Sequence, residues 1–576
     1  MIVSLVVGIA LIVAVVLVAR RFTAGAAAGG SSEAHAVRRF FQYLLLYGLL
    51  MVVGVGVSGL LGRLFDGQLR LAGDEAGLAR DLAFTVVGIP LFAGVALWSR
   101  SRFRAGPEES RSLGWAFYVT AASVTALVFA MTGLGQVLEW AFGLSDYSGR
   151  SAATVVVWGG LWAAHWWLGA RVTPPEHVRL HHLVGSLIGL ATAATGLVGV
   201  LGAALRTLLG LQEATLVTGQ GSPILRGLAV LLVGAPVWVV YWYLTARRDD
   251  RHPLWWVYVL LAGVAGGLVM AITAASTLLY SVLVWLVGDP GAADARTHFQ
   301  SAPTAAATAA VGVLLWWYHQ AVLRGAGQAA RTEVRRVYEY LMAGIALLAG
   351  AAGLTVAVVA LIEALAGNRQ VLVGNGVVNT LLAAFTLLIV GGPVWWIYWR
   401  LIHEAADADP AAELMSTTRR VYLFVLFGVG GIAAVISLLV GVYMLFEDVV
   451  NGVVGAETLR RMRVAIGVLL ATAAISAYHW TVYRSDRKRA PSVAAEHEPR
   501  YVLLVGPADR EVAREVAHRT HGRVQVWSRT DDGAHPWSAD DVMAALDAMR
   551  TDRPAVDEVI VLSDAEGLRA IPVHRG

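Results

Sequence analysis

Three histidines stand at equivalent places in an otherwise apolar sequence: His165, His319 and His479. One imidazole from each of three copies of a repeated unit would form a ligand set of the kind that zinc uses, and neutral imidazole also binds copper or iron. The alternative is an amphipathic ring at the membrane–water interface, because Tyr241 and Tyr398 fill the same place in related segments. No carboxylate is evident to orient the rings, so we favour the interface and predict neither a metal site nor another cofactor.

Three prolines form a second recurring feature, since Pro90, Pro236 and Pro393 each follow a glycine by two residues. A proline inside a helix frees the carbonyl four residues earlier, and in a bilayer that carbonyl needs another hydrogen-bond partner. Such a kink could bind water or an ion, but glycine and proline are also frequent in ordinary membrane helices. The sequence therefore marks the three prolines as helix-kink positions and favours packing over ion binding.

Other patterns that carry chemistry are missing. The chain has no cysteine, which excludes thiol nucleophiles, disulfides and iron–sulfur clusters, and Gly506 stands alone without the further glycines of a phosphate-binding loop. Charged residues of the apolar segments stand near helix ends, where we expect solvation, and their absence from mid-bilayer argues against a proton-coupled pump. We therefore predict that the protein is not an enzyme. The helix-end residues in question are Glu139, Arg206, Glu339, Glu363, Glu447 and Asp448.

The elements that position these residues are long apolar helices. The 576-residue chain is 57% hydrophobic and only 15% charged, and its apolar runs have the length of about 20 residues that crosses a bilayer. Residues 1–19 predict a membrane anchor, because the charges of Arg20 and Arg21 follow the apolar run instead of preceding it. Twelve further spans in six hairpins bring the expected number to about thirteen: 40–62, 82–98, 114–138, 152–170, 182–204, 227–245, 254–287, 304–322, 338–365, 377–399, 421–446 and 464–483.

Arginines set the expected orientation. Most of them stand in the loops of one side, which marks that side as cytoplasmic. This predicts a multi-pass protein of the cell membrane with its N-terminus outside and the residues after Arg489 inside. The richness in alanine, glycine, valine and arginine indicates a GC-rich bacterial genome, and so a bacterial inner membrane.

The hairpins repeat along the chain. Odd hairpins carry the proline motif and even hairpins the histidine, while Arg-Arg-x-Tyr or Arg-Arg-x-Phe opens the helices that begin at 38, 335 and 419. The pattern predicts an all-α polytopic membrane protein of six parallel hairpin repeats, grouped as three four-helix units. These motifs resemble those of an uncharacterised bacterial integral membrane family, the domain-of-unknown-function family 5671, along residues 37–484. The resemblance implies paired helices with aromatic, arginine-flanked ends, and no known activity.

The predicted domains follow from this repeat. They are an anchor and linker (1–36), three four-helix units (37–173, 174–325 and 326–489), a linker (490–499) and a cytoplasmic α/β domain (500–576). In the last domain, strands are predicted at 501–505, 523–527 and 557–562, with helices at 509–519 and 539–549. The second helix opens on the capping box formed by Ser538 and Asp541. The sequence thus predicts a small β-α-β-α-β module.

Two functions suit this organisation. A membrane scaffold or sensor, which sits in the lipid bilayer and presents residues 500–576 to a cytoplasmic protein partner, fits the apolar helices and the soluble tail. The alternative is a channel or carrier for a neutral or weakly polar solute, lined by the kinked helices. Basic residues lie at helix ends and form no single patch, so no nucleic acid is expected as a partner.

Overall fold

The computed structural model describes residues 30–573 apart from 68–73, 107, 212–221, 250, 325–332, 367–375, 415, 490–498, 500, 508, 521, 532–534, 553–555 and 565–566. The chain divides into two compact units, each considered by itself below. Unit 1 contains the residues up to 402 together with 424–476, and unit 2 contains 403–423 together with 477–576. The predicted anchor at 1–19 lies outside the described residues.

Six helical hairpins follow one another before the C-terminal module. Helices suit these apolar runs because all their backbone hydrogen bonds close within the segment. Hairpin 1 is α1 (Gly30–Phe65) with α2 (Glu75–Ala105), hairpin 2 is α3 (Leu113–Ala141) with α4 (Gly149–Val172), and hairpin 3 is α5 (Pro175–Leu208) with α6 (Pro223–Trp238). Hairpin 4 contains α7 (Pro253–Val257), α8 (Gly266–Leu286), the short α9 (Ala295–His298) and α10 (Ala302–Arg324). Hairpin 5 is α11 (Glu333–Leu365) with α12 (Val377–Ala408), and after the short α13 (Pro410–Leu414), hairpin 6 is α14 (Thr417–Val450) with α15 (Ala456–Arg489).

Eleven helices within the described ranges are long and apolar enough to cross a membrane. They correspond to eleven of the twelve spans that the sequence predicts for the hairpins. The twelfth, α4, is a helix of 24 residues whose four tryptophans and His165 contribute little to its hydropathy. The class of a multi-pass helical membrane protein is confirmed, and the total of about thirteen spans stays a prediction.

Glycines bring the two helices of a hairpin into backbone contact. A Cβ added to Gly189 would lie 2.5 Å from the backbone nitrogen of Trp238, and one added to Gly234 would lie 2.3 Å from that of Ala193. Hairpin 4 repeats the arrangement, because a Cβ on Gly312 would lie 2.7 Å from the backbone nitrogen of Ala271. Small residues at such contacts are typical of helix association in membranes.

Hairpins 3 and 4 each contain a π-helical turn. One follows α6 at Val239–Thr245, and the other joins α7 to α8 at Tyr258–Ala265. In the first turn the hydroxyl of Thr245 donates to the carbonyl of Val240, five residues earlier, at 2.8 Å. A π turn inserts one residue into the helix, so it shifts the direction of the side chains that follow.

The C-terminal module, within unit 2, is a four-stranded sheet with two helices. The strand order is β2 (Arg523–Ser528), β1 (Tyr501–Gly506), β3 (Glu558–Asp564) and β4 (Gly567–Val573). The first three strands are parallel and β4 is antiparallel to β3. The helices are α16 (Arg510–Thr520) and α17 (Ala539–Asp552). The three predicted strands and both predicted helices are present, but the prediction of only three strands is wrong, because it lacked β4.

Both helices of the module pack on the same face of the sheet. Val516 of α16 and Val542 and Leu546 of α17 share one buried cluster with Val502, Leu504, Val559 and Val561. Side chains alternate along a strand, so the residues between these point to the opposite face. That second face, which we call the open sheet face, carries Leu503, Val505, Gln525, Trp527, Ile560, Leu562 and Ile571.

Candidate functional site: a tyrosine–histidine ladder

A ring pair joins the two helices in each of hairpins 2 to 6, and we call this series the ladder. Each rung takes one residue from near the start of the first helix of the hairpin. Its other residue comes from the second helix, at the repeat position that His165 occupies in hairpin 2. The rungs are Tyr118–His165, His181–Tyr241, Tyr258–His319, Tyr338–Tyr398 and Tyr422–His479.

Four of the five rungs are closed by a hydrogen bond. The distances are 2.9 Å from Tyr118 Oη to His165 Nε2, 2.8 Å from Tyr241 Oη to His181 Nε2 and 2.7 Å between the hydroxyls of Tyr338 and Tyr398. In unit 2, Tyr422 Oη lies 3.3 Å from His479 Nε2. A buried polar ring is costly unless its polar atoms are bonded, and the rung meets that need inside the hairpin.

The tautomer of two rung histidines follows from their other nitrogen. Nδ1 of His165 lies 2.7 Å from the carbonyl oxygen of Leu161, and Nδ1 of His319 lies 2.9 Å from that of Leu315. A carbonyl only accepts, so Nδ1 carries the proton and Nε2 is left as an acceptor. Tyr118 therefore donates its hydroxyl proton to His165.

Hairpin 4 is the exception in the ladder. The ring centroids of Tyr258 and His319 are 5.8 Å apart, and Nε2 of His319 has no hydrogen-bond partner among the described residues. Tyr258 opens the π-helical turn, and its hydroxyl instead accepts from the indole nitrogen of Trp238 at 3.0 Å. His319 lies so close to Gly263 that a Cβ there would be 2.2 Å from the ring.

Hydrogen bonds also connect successive hairpins of unit 1. The indole nitrogen of Trp162 donates to Tyr241 at 2.7 Å, and the amide of Gln320 donates to Tyr338 at 2.9 Å. Tyr241 and Tyr338 thus each accept a hydrogen bond from the preceding hairpin while they bond to their own rung partner. Trp242 adds a bridge to Tyr318 at 3.1 Å.

The three histidines named from the sequence are thus members of separate rungs. All three rings are buried against the other helix of their own hairpin, and their expected location at the membrane interface stays a prediction. No group of three or more His, Asp or Glu side chains within metal-binding reach occurs among the described residues.

The three prolines lie on outward faces of their helices. Pro90, Pro236 and Pro393 are exposed, whereas the glycines two residues earlier are buried against the partner helix. The carbonyls that the prolines free belong to Val86, Leu232 and Ile389, which are also exposed. Glycine therefore supplies the contact between helices, and proline faces away from it.

Sequence reasoning missed a buried acid between hairpins 1 and 2. Glu109 is 4% exposed and accepts hydrogen bonds from Arg39 at 2.9 Å, Arg38 at 3.1 Å and Tyr43 at 3.1 Å. Burial opposes ionisation, but the hydrogen bonds and charges of Arg39 and Arg38 hold the pKa of Glu109 below its ordinary value. The signal for this contact was the pair of arginines that opens the hairpin.

Other charged groups at helix ends are also buried, against the expected solvation. Asp81 is fully buried beside Arg80 (2.8 Å), and Asp448 is bound by Arg461 (2.5 Å). Glu339 is buried and paired with Arg335 at 3.0 Å. The expectation is wrong for Glu339 and Asp448 because an arginine neutralises each of them.

Comparison with known protein families identifies the repeat. The profile of the domain of unknown function 5671 (DUF5671) matches three times, over residues 39–160, 179–300 and 336–474, which together exceed half of the chain. No curated protein matches the chain. No solved structure matches it either. The predicted resemblance is confirmed, and the protein belongs to the DUF5671 family of membrane-type helical repeats of unknown function.

Proposed function

We propose that the protein is a multi-pass membrane scaffold that presents a cytoplasmic α/β domain to a protein partner. The observation that carries the proposal is the open sheet face of the C-terminal module. Trp527 on that face is 59% exposed and Ile571 is 37% exposed, whereas Leu503 at its centre is only 7% exposed. A sheet whose helices all pack on one side leaves the other for a partner, and exposed aromatic side chains are typical of such surfaces.

The chemistry of the open sheet face indicates the kind of partner. Val505 lies between Trp527 and Leu562 in register, and Leu503 lies between Gln525 and Ile560. Charged residues occur at the margins of the same face, at Arg523 and Glu558 at one end and at Arg569 on the edge strand. An apolar centre with charges at its margin suits a protein segment with an apolar face, such as an amphipathic helix.

The hairpins supply the anchor of this scaffold. Backbone contacts at the glycines and the bridges between hairpins suit a body of fixed geometry. The three family matches begin at Arg39, Arg179 and Arg336. Each of these arginines stands two residues before the first-helix rung position, which is Phe41, His181 and Tyr338 in turn. This agreement supports three four-helix units as the repeat. The basic residues Arg487, Lys488 and Arg489 before the module support a cytoplasmic location.

A photo-crosslinking residue tests the proposal directly. Benzoylphenylalanine replaces Trp527 on the open sheet face, and a matched variant carries it at the exposed Ala544 on α17. We expect a discrete cross-linked protein adduct from position 527 in intact cells and none from position 544. Equal cross-linking at the two positions, or none at 527, would contradict a scaffold that works through this face.

The alternative, a channel or carrier, has less support. Its kinked helices would have to line a path, yet all three prolines lie on faces that point away from the partner helix. A transport assay in proteoliposomes with neutral solutes remains its direct test.

A further inference from the structure

A cavity of about 220 Å³ lies between hairpins 2 and 3 in unit 1. It is bounded by α3, α5 and α6, and no ladder residue lines it. Its lining combines apolar side chains with four polar ones: Val128, Met131, Thr132, Gly135, Gln136, Glu139, Ile188, Thr192, Val230 and Val233.

The inner part of the cavity is apolar. Met131, Ile188 and Val233 are buried and belong to the hydrophobic cluster that joins the two hairpins. Gly135 opens the space above them, because a Cβ added there would meet no atom within 4 Å. Gly133, only two residues earlier, is pressed against the backbone oxygen of Ser151, where a Cβ would lie at 2.9 Å. The cavity therefore depends on a glycine that helix packing does not require.

The polar groups of the cavity are mostly acceptors. The hydroxyls of Thr132 and Thr192 donate their protons to the carbonyls of Val128 and Ile188, both at 2.8 Å, so their oxygens can only accept further bonds. Gln136 is the exception, because its amide oxygen accepts from Ser151 at 2.7 Å and its NH2 group is a donor. The fourth group is a carboxylate, that of Glu139.

Glu139 is the charged group of the cavity and lies near the end of α3. Its carboxylate forms no ion pair or hydrogen bond with the residues that the structure describes, unlike the arginine-bound acids above. A carboxylate beside an apolar cavity favours a cation that donates hydrogen bonds. Pockets for drug-sized ligands measure about 300 Å³ or more, so this one suits a small head with a short chain.

We propose that this cavity binds an organic ammonium ion that carries an alkyl chain. The ammonium group is held by Glu139 and by the hydroxyl oxygens, and the chain lies over Gly135 on Met131, Ile188 and Val233. This chemistry is shared by a free alkylammonium ion and by the head of an aminophospholipid. The site is independent of the scaffold function proposed above.

The test uses the full-length protein in an uncharged detergent and octylammonium as the probe, with thermal stability as the readout of binding. Octanol and octanoate supply the neutral and anionic analogues. We expect octylammonium to bind at least about tenfold more tightly than either, since a charge-assisted hydrogen bond is worth that much. Equal effects of the three compounds would overturn the proposal.

Two variants test the charge of Glu139 and the open volume at Gly135 separately. Glu139→Gln should weaken octylammonium binding by about tenfold or more, and Gly135→Leu should abolish it by filling the cavity. The matched controls are Asp146→Asn, an exposed acid outside the cavity, and Gly160→Leu, where an added Cβ also meets nothing within 4 Å. Unchanged binding in both Glu139→Gln and Gly135→Leu would rule the site out.

The two sources of ammonium are distinguished by lipid. Protein reconstituted in phosphatidylglycerol discs, with or without phosphatidylethanolamine, is titrated with octylammonium. If the aminophospholipid occupies the cavity, its presence should weaken binding of the probe to the wild type and to the Gly160→Leu control, whereas Gly135→Leu should bind no probe in either lipid. If the natural ligand is free, the two lipid compositions should give the same affinity.

Discussion

At the scale of single residues, the ladder changes what a histidine in this sequence means. His165 and Tyr118 form one donor–acceptor pair in a buried setting. The corresponding residues of hairpin 1 are Phe41 and Val95, and there the buried polar contact is instead from Gln42 to Ser99 at 2.9 Å. Hairpins 2 to 6 thus carry a tyrosine or histidine at both rung positions, and hairpin 1 carries neither. The pairing was hidden in the sequence because its members are about 50 to 60 residues apart, and helix register decides whether they meet.

Removal of one rung hydroxyl should destabilise the fold. In Tyr118→Phe the acceptor Nε2 of His165 loses its donor, which should cost about 1 kcal/mol of unfolding free energy. Thermal unfolding of the purified protein in detergent measures the effect. Tyr147→Phe, at an exposed tyrosine, is the control and should change nothing. Equal melting temperatures for the two variants would show that the rung contributes no stability.

The Glu109 contact should depend on pH. Its pKa is held below the ordinary value in the folded protein, so its contribution is complete above the pKa of the unfolded chain and is lost as pH falls through the folded value. Glu109→Gln should lower stability at neutral pH by about 1.5–3 kcal/mol, the range for a hydrogen bond to a charged group, and flatten the acid dependence. Glu108→Gln, at the exposed neighbour, should leave the pH profile as in the wild type. A Glu109→Gln profile parallel to that of the wild type would contradict this role.

At the scale of elements, most of the fold follows from the length of the apolar segments and from the positions of the glycines. The apolar centre of each hairpin helix was predicted, because a run of apolar residues crosses a bilayer as a helix, but several helices extend beyond the predicted span, as Gly30–Phe65 does beyond 40–62. Strand β4 was missed since Arg569 and Pro572 interrupt its apolar pattern, although proline is tolerated on an edge strand. The π-helical turns were missed because no particular residue type indicates where an extra residue is inserted into a helix. Burial of the rungs depends on which faces of two helices meet, which local sequence does not specify.

Glycines at helix crossings should tolerate no side chain. In Gly189→Ala the new Cβ would meet the backbone of Trp238, so the helices of hairpin 3 must separate, at a cost of about 3 kcal/mol or more. Gly159→Ala supplies the control, because its added Cβ has open space. Stability against thermal unfolding measures both variants. A loss in Gly159→Ala as large as in Gly189→Ala would contradict the role of the backbone contact, because alanine by itself favours a helix more than glycine does.

At the scale of the whole molecule, the family and the membrane class were accessible from sequence, and orientation is a prediction from arginine placement. The absence of cysteine makes it easy to test, because the natural chain gives no background in thiol labelling. A single cysteine at Ser145, between α3 and α4, should react with a membrane-impermeant maleimide on intact cells. One at Ala548, in the C-terminal module, should react only after lysis. The reverse pattern would invert the proposed topology.

Four of the five ladder rungs close by a hydrogen bond inside a single hairpin, and this affects how the protein assembles in the membrane. A membrane protein is synthesised from its N-terminus, so each pair of helices enters the bilayer before the next exists. A hairpin that bonds its own tyrosine and histidine can leave the insertion machinery without an unsatisfied ring, and needs no later partner to stay in lipid. The hydrogen bonds from Trp162 and Gln320 to the following hairpin then form when that hairpin enters the membrane. We therefore expect assembly to proceed hairpin by hairpin, with chains truncated after a complete hairpin inserting better than chains cut between its two helices.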